Sequence, residues 1–191
     1  MFQNPIQPSG SNSTSYLMIG GSTSTFASRT RKIIPQTAFT GAPLGAQPGQ
    51  PFILFDYAGG HSRQGVSVRD VCGRTSTLDE WLAGAKDPVL AKSGLRKINS
   101  QIRWPGLETI EPWIRSVDVC FPTGHITRAQ LAFSVARQII AFAERAQFHK
   151  HRTSFPLGRE GIKIESLVLV ALINVGGETW QAVIAYDPQL A

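Results

Sequence analysis

The stretch GHITRAQLAFSVARQIIAFAERA, Gly124 to Ala146, constrains the fold more than any other, because its start, faces and end are all legible. Thr127 and Gln130 have the spacing of a capping box: the threonine hydroxyl takes the N3 amide, and the glutamine side chain returns to the cap amide. Ile126 and Leu131 stand where a hydrophobic staple closes around the same turn. Leu131, Val135, Ile139, Phe142 and Ala146 then form a stripe at helical spacing, which Ala132, Phe133, Ala136, Ile140 and Ala143 broaden beyond an ordinary surface helix. Gln130, Ser134, Arg137, Gln138 and Arg145 remain as a wet edge. Such a helix is expected to be the centre of a core; the alternative is that part of its excess apolar surface meets another subunit.

The sequence around this helix reads mostly as strands. PFILFDYAGG is a short apolar run closed by Gly59 and Gly60, and GVSVRDV alternates weakly, as an edge strand does. Thr77 and Glu80 suggest a second capping box with a short helix from Leu78, and KDPVLAK restarts that helix with Asp87 as cap and Pro88 at its first position. From Leu95 the period becomes two, with Ile98, Ser100 and Ile102 against a wet face of Lys97, Asn99, Gln101 and Arg103. WPGLETIEPW is a turn region, and WIRSVDVCF alternates again. GIKIESLVLVALINV and ETWQAVIAY flank Gly176 and Gly177, a tight hairpin signal. Leu167 to Ile173 is apolar on both faces, as in a strand covered on each side. These patterns predict an α+β fold: a largely antiparallel sheet of about five strands, the Thr127 helix on one face and the Thr77 helix at its edge.

Residues 1–50 differ from the rest. They are rich in Ser, Thr, Gly, Pro and Gln, they hold no acidic residue, and Arg29, Arg31 and Lys32 are their only charges. An arm of this composition buries too little surface in isolation to offset a backbone entropy of about 1–2 kcal/mol per residue. Its apolar patches, Tyr16, Leu17, Met18 and Ile19 and then Ile33 and Ile34, are suited to docking on a neighbouring copy. Residues 51–191 are expected to fold as a single domain that survives deletion of residues 1–40.

Chemistry is sparse. Asp56, the glycine pair and His61 lie close together in a turn that has the makings of an anion nest or a catalytic corner, without a P-loop pattern. Cys120 and His125 stand five residues apart, a spacing open to a nucleophile pair. Cys72 and Cys120 show no zinc spacing and are expected to be reduced thiols, so no metal or cofactor is expected. The N-terminus lacks the pattern of a secretory signal, and the longest apolar run is too short to cross a bilayer, which together predict an intracellular, cytoplasmic protein with no membrane partner. A net charge of +6 permits contact with nucleic acid, and Arg145, Lys150, Arg152, Arg159 and Lys163 form the densest basic region, with Phe148 and Phe155 placed to stack on bases.

INSQIRWPGLETIEPWIRSVDV and GHITRAQLAFSVARQIIAF resemble a group of uncharacterised proteins predicted from mushroom-forming fungi, in the alternating strand, the Trp-Pro-Gly turn, the second tryptophan and the helix opening. The resemblance spans Ile98 to Phe142 and implies no activity, cofactor or site. The leading expectation is therefore a non-enzymatic structural protein that self-associates into a filament or shell through its arm. The alternatives are a nucleic-acid-binding module using the Arg145 to Lys163 region and an enzyme of another kind centred on Asp56, His61, Cys120 or His125.

Overall fold

The computed structural model describes residues 16–19, 22–36, 49–107, 113–148 and 153–190. In chain order the strands and helices are β1 (Tyr16–Ile19), β2 (Ser22–Thr25), β3 (Lys32–Ile33), β4 (Phe52–Leu54), β5 (Val66–Ser67), α1 (Val68–Gly73) and α2 (Leu78–Trp81). There follow β6 (Lys97–Ile102), β7 (Trp113–Asp118), β8 (Cys120–Phe121), β9 (Gly124–His125), α3 (Arg128–Ala146), β10 (Leu167–Gly176) and β11 (Thr179–Tyr186). The main sheet runs β4-β10-β11-β6-β7, with β3 also on β11 and β5 also on β10. This corrects the expected sheet of about five strands: it has seven, and it is mixed, because β6 and β11 pair in parallel. Of its two shortest strands, β5 falls in the stretch read as an edge strand, whereas β3 lies in the arm and, at two residues, is too short to produce a period-two signal. Parallel neighbours need a long crossover, and the chain between β6 and β11 supplies one that contains α3 and β10.

β10 is the centre of the sheet, and residues 167–173 are all buried. Leu167, Leu169 and Leu172 face the core that contains α1 and α3, while Val168, Val170, Ala171 and Ile173 face the other way. A register shift between Leu169 and Ala171 explains why two consecutive residues share a face: a bulge adds one residue and reverses the alternation beyond it. The β10–β11 hairpin turns at Gly177 and Glu178, one residue beyond the expected Gly176–Gly177 pair: Gly176 lies opposite Thr179 at the end of β10, and both glycines take positive φ.

Helix α3 has the expected capping box: Gln130 N–H donates to the Thr127 hydroxyl and the Thr127 amide donates to Gln130 Oε1 at 2.9 Å. Its first amides are satisfied from outside as well. Arg128 N–H donates to the Asp87 carbonyl and Ala129 N–H to that of Ala85, both at 2.9 Å, so the chain around Ala85–Asp87 wraps the helix start. The expected helix at KDPVLAK is therefore a series of turns, with Pro88 in an isolated bridge to Thr127. The carboxylate of Asp87 caps nothing of its own and accepts from Arg128 Nη2 at 3.1 Å.

Three further expectations change. GVSVRDV is a strand only at Val66–Ser67 and then becomes α1, because the Ser67 hydroxyl accepts the Asp70 amide as an N-cap and Val68 and Val71 turn inward together. Thr77 makes no capping bond for α2; it ends a 3-10 turn and its hydroxyl donates to the Arg74 carbonyl. Gln101, expected on a wet face, is buried. Its partner across the parallel pair is Gln181, also buried, and Gln101 Nε2 donates to Gln181 Oε1 at 3.0 Å, which removes much of the cost of enclosing two amides.

Candidate functional site

The arm is part of the fold from Thr25 to Gln36. Ile33 is opposite Ala185 and Lys32 opposite Tyr186 in an antiparallel pairing, and Ile34 N–H extends it to the Ile184 carbonyl at 2.9 Å. Strand alternation then sends neighbouring side chains to opposite faces. Ile34 is fully buried in the helix-side core, while Ile33 and Phe26 pack on Val168, Val170, Ile173 and Val183 on the other face. The sequence pointed to Ile33 and Ile34 as apolar docking residues for a neighbour; in this structure they dock on their own chain. Tyr16, Leu17, Met18 and Ile19 form β1 of a separate two-stranded hairpin, pairing with Thr25, Ser24, Thr23 and Ser22.

Polar contacts clasp the arm at the same place. Asp187, almost fully buried, accepts from the Thr30 hydroxyl at 2.6 Å and from Arg31 Nε at 3.3 Å. Arg31 Nη1 also donates to the Gln64 carbonyl at 2.6 Å, and the Gln64 side chain accepts from the Ala27 amide and donates to the Thr25 carbonyl. Burial alone pushes the Asp187 carboxyl up, but the hydroxyls of Thr30 and Ser28, the Gln189 amide and the Arg31 guanidinium outweigh it and hold it below its ordinary value. A carboxyl depressed on folding contributes stability that is complete above its unfolded value of about 3.9 and is lost as pH falls through the folded value. Below about pH 4, therefore, the urea midpoint is expected to fall less steeply in Asp187→Asn than in the wild type. Parallel slopes would remove Asp187 from the clasp.

Gln64 is positioned by the turn that carries Asp56 and His61. The Asp56 carboxylate accepts the backbone amides of Arg63, Gln64 and Gly65 at 2.9, 2.7 and 2.9 Å. The sequence suggested an anion nest at the glycine pair and His61; the amides that converge are instead those of Arg63 to Gly65, and their anion is the protein's own Asp56. Arg63 and Gly65 adopt positive φ to aim their amides inward. At Gly65 a Cβ would also stand 2.7 Å from Val168 Cγ1, so the position has no room for a side chain. Next to it the Tyr57 phenol donates to Asp70 and accepts from the Ser67 amide. Burial, aided by the Asp70 carboxylate, pushes that phenol up to about 12.

Among the described residues the other candidates do not converge on one site, and only Cys120 and His125 stand opposite each other. His61 is exposed. Cys120 and His125 are Cα partners in the β8–β9 hairpin, with Cys120 exposed and His125 half-buried. Cys72 and Cys120 are both free thiols, and burial pushes Cys72 up, Arg137 opposing it. Arg145 lies over the Trp113 ring at 5.9 Å, with Arg115 over the same ring at 4.1 Å. Arg159 and Lys163 are exposed, as are Arg29 and Lys32, whereas Arg31 is in the clasp. Lys150 and Arg152 lie outside the described residues. Sequence reading missed Thr30, Gln64 and Asp187: no local pattern connects Thr30 with a carboxylate 157 positions away.

No family model matches this chain, and neither the curated proteins nor the solved structures include a match. Among the described residues no helix is long and apolar enough to cross a membrane.

Proposed function

We propose that this chain is a non-enzymatic structural subunit that self-associates in an intracellular compartment, with its N-terminal arm as the connecting element. One observation carries the reading: the arm adds a strand whose apolar residues complete a core formed by the rest of the chain. A segment that gains its burial only by lying on a body is what subunits of repeated assemblies use to hold their neighbours. Large apolar side chains exposed at Ile114 on β7, at Phe121 on β8 and at Phe148 after α3 offer further contact surface. The non-enzymatic part of the reading draws support from Asp56, whose carboxylate is engaged by three backbone amides.

A second reading is favoured by Trp113, which has two exposed guanidiniums over one ring, with Phe148 following Arg145 at the end of the same helix. Guanidinium planes and an exposed phenyl ring suit the backbone and bases of a single-stranded nucleic acid. One measurement separates the two: molar mass by light scattering over a wide concentration range, with and without a single-stranded oligonucleotide. Self-association predicts mass that rises with protein concentration alone. Mass that rises only with the oligonucleotide, and falls steeply with salt, would put nucleic-acid binding first; a monomer throughout would overturn both.

A further inference from the structure

We propose that the seat of the arm on β11 also takes the arm of a second copy, so that two chains exchange the segment from Thr25 to Gln36 and each completes the other's sheet. The proposal rests on the self-association reading and names its surface. β11 has one edge shared by two strands: β6 pairs with Thr179 to Gln181, and the arm pairs with Ala185 and Tyr186. Because β6 ends at Ile102, the end of this edge needs another segment to satisfy its backbone. A body without its arm would expose that edge, the site of Ile34 and the apolar face around Val168 and Val183. Such a seat recognises an extended strand by backbone pairing and by pockets for alternate side chains, with Asp187 adding a clasp for Thr30 and Arg31.

The occupant that fits this seat is residues 25–36 of an identical chain. An arm from another copy brings the same isoleucines, the same hydroxyl and the same guanidinium, so every interaction that one copy gives up is made again in the other. Twelve residues separate Gln36 from Gly49 in the sequence, including Gly41, Pro43, Gly45 and Pro48. Fully extended, that length spans about 40 Å, enough to reach an adjacent copy. Closing the arm on its own chain is favoured in dilute solution, and exchange gains as concentration rises.

Ile33 and Ala185 supply the test. The Ile34 to Ile184 hydrogen bond makes Ile33 and Ala185 a non-hydrogen-bonded pair, with Cα atoms about 4.5 Å apart and within disulfide reach. In a Cys72→Ala, Cys120→Ser background, Ile33→Cys is placed in one tagged copy and Ala185→Cys in another, and the two are mixed at high concentration and oxidised. The expected result is a covalent dimer holding one of each, absent when either cysteine is missing. The double variant Ile33→Cys with Ala185→Cys should close within one chain and lose assembly. Lys32→Cys with Tyr186→Cys, the adjacent and less buried pair, repeats both arms of the test should the first pair impair folding. Assembly by light scattering without a mixed disulfide, or assembly that persists in the locked chain, overturns exchange and leaves self-association standing. A wild-type monomer at every concentration removes both.

Discussion

Removal of residues 1–36 is expected to cost the remaining chain several kcal/mol, with Ile34→Ala alone costing about 2–5 kcal/mol. The sequence reading expects instead that residues 51–191 survive deletion of residues 1–40 as a folded body, and one measurement decides between the two. Ile34 is fully buried among the residues of α3 and the helix side of β10 and β11, so its truncation leaves a cavity in the main core. Loss of the whole segment also strips Phe26 and Ile33 from the second face and leaves Asp187 without Thr30 and Arg31. Guanidinium denaturation of the full chain, the deletion and Ile34→Ala would measure it. A midpoint unchanged by the deletion would show that the arm rests on the body without holding it together.

Asp56→Ala is expected to be similarly damaging, by about 3 kcal/mol or more, because hydrogen bonds to a charged group contribute about 1.5–3 kcal/mol each and three are lost together. The full sum is not expected, since bonds to one carboxylate do not add independently. With its anchor gone, the turn at Arg63 to Gly65 no longer has a reason to hold positive φ at Arg63, a conformation that disfavours a residue with a Cβ. Gln64 then releases the arm at Ala27 and Thr25, so the effect should spread to hydrogen exchange at Ile34. Asp56→Asn should be milder, because Gln64 and Gly65 share one oxygen that an amide carbonyl can replace. A shift for Asp56→Ala no larger than the roughly 0.5 kcal/mol of an ordinary surface substitution would sink this account.

These two sites differ in how far the sequence showed them. Asp56 stood out beside its glycine pair, yet neither the amides that form the nest, those of Arg63, Gln64 and Gly65, nor the identity of the anion was visible. A carboxylate reads the same in sequence whether it faces solvent or accepts amides seven to nine residues on. The arm was legible as a segment that cannot fold alone. What it lies on was not, because Ile33, Ile34, Thr30 and Arg31 meet their partners only through the order of strands in the sheet.

Local chemistry was enough to specify α3, from its Thr127 cap to its last buried turn, and a hairpin at the glycine pair, one residue from the observed turn, with β10 buried on both faces over residues 167–173. Capping boxes, helical stripes and glycine turns act over a few residues, so their physics is complete within a short stretch of chain. Long-range packing settled the parallel pairing of β6 with β11, the burial of Gln101 against Gln181 and the conversion of KDPVLAK from a helix into a wrap for the start of α3. It also placed Ile34 in the core. In each of these the free energy comes from a partner distant in sequence: a second amide, a helix terminus with unpaired N–H groups, or a strand edge left open where β6 ends.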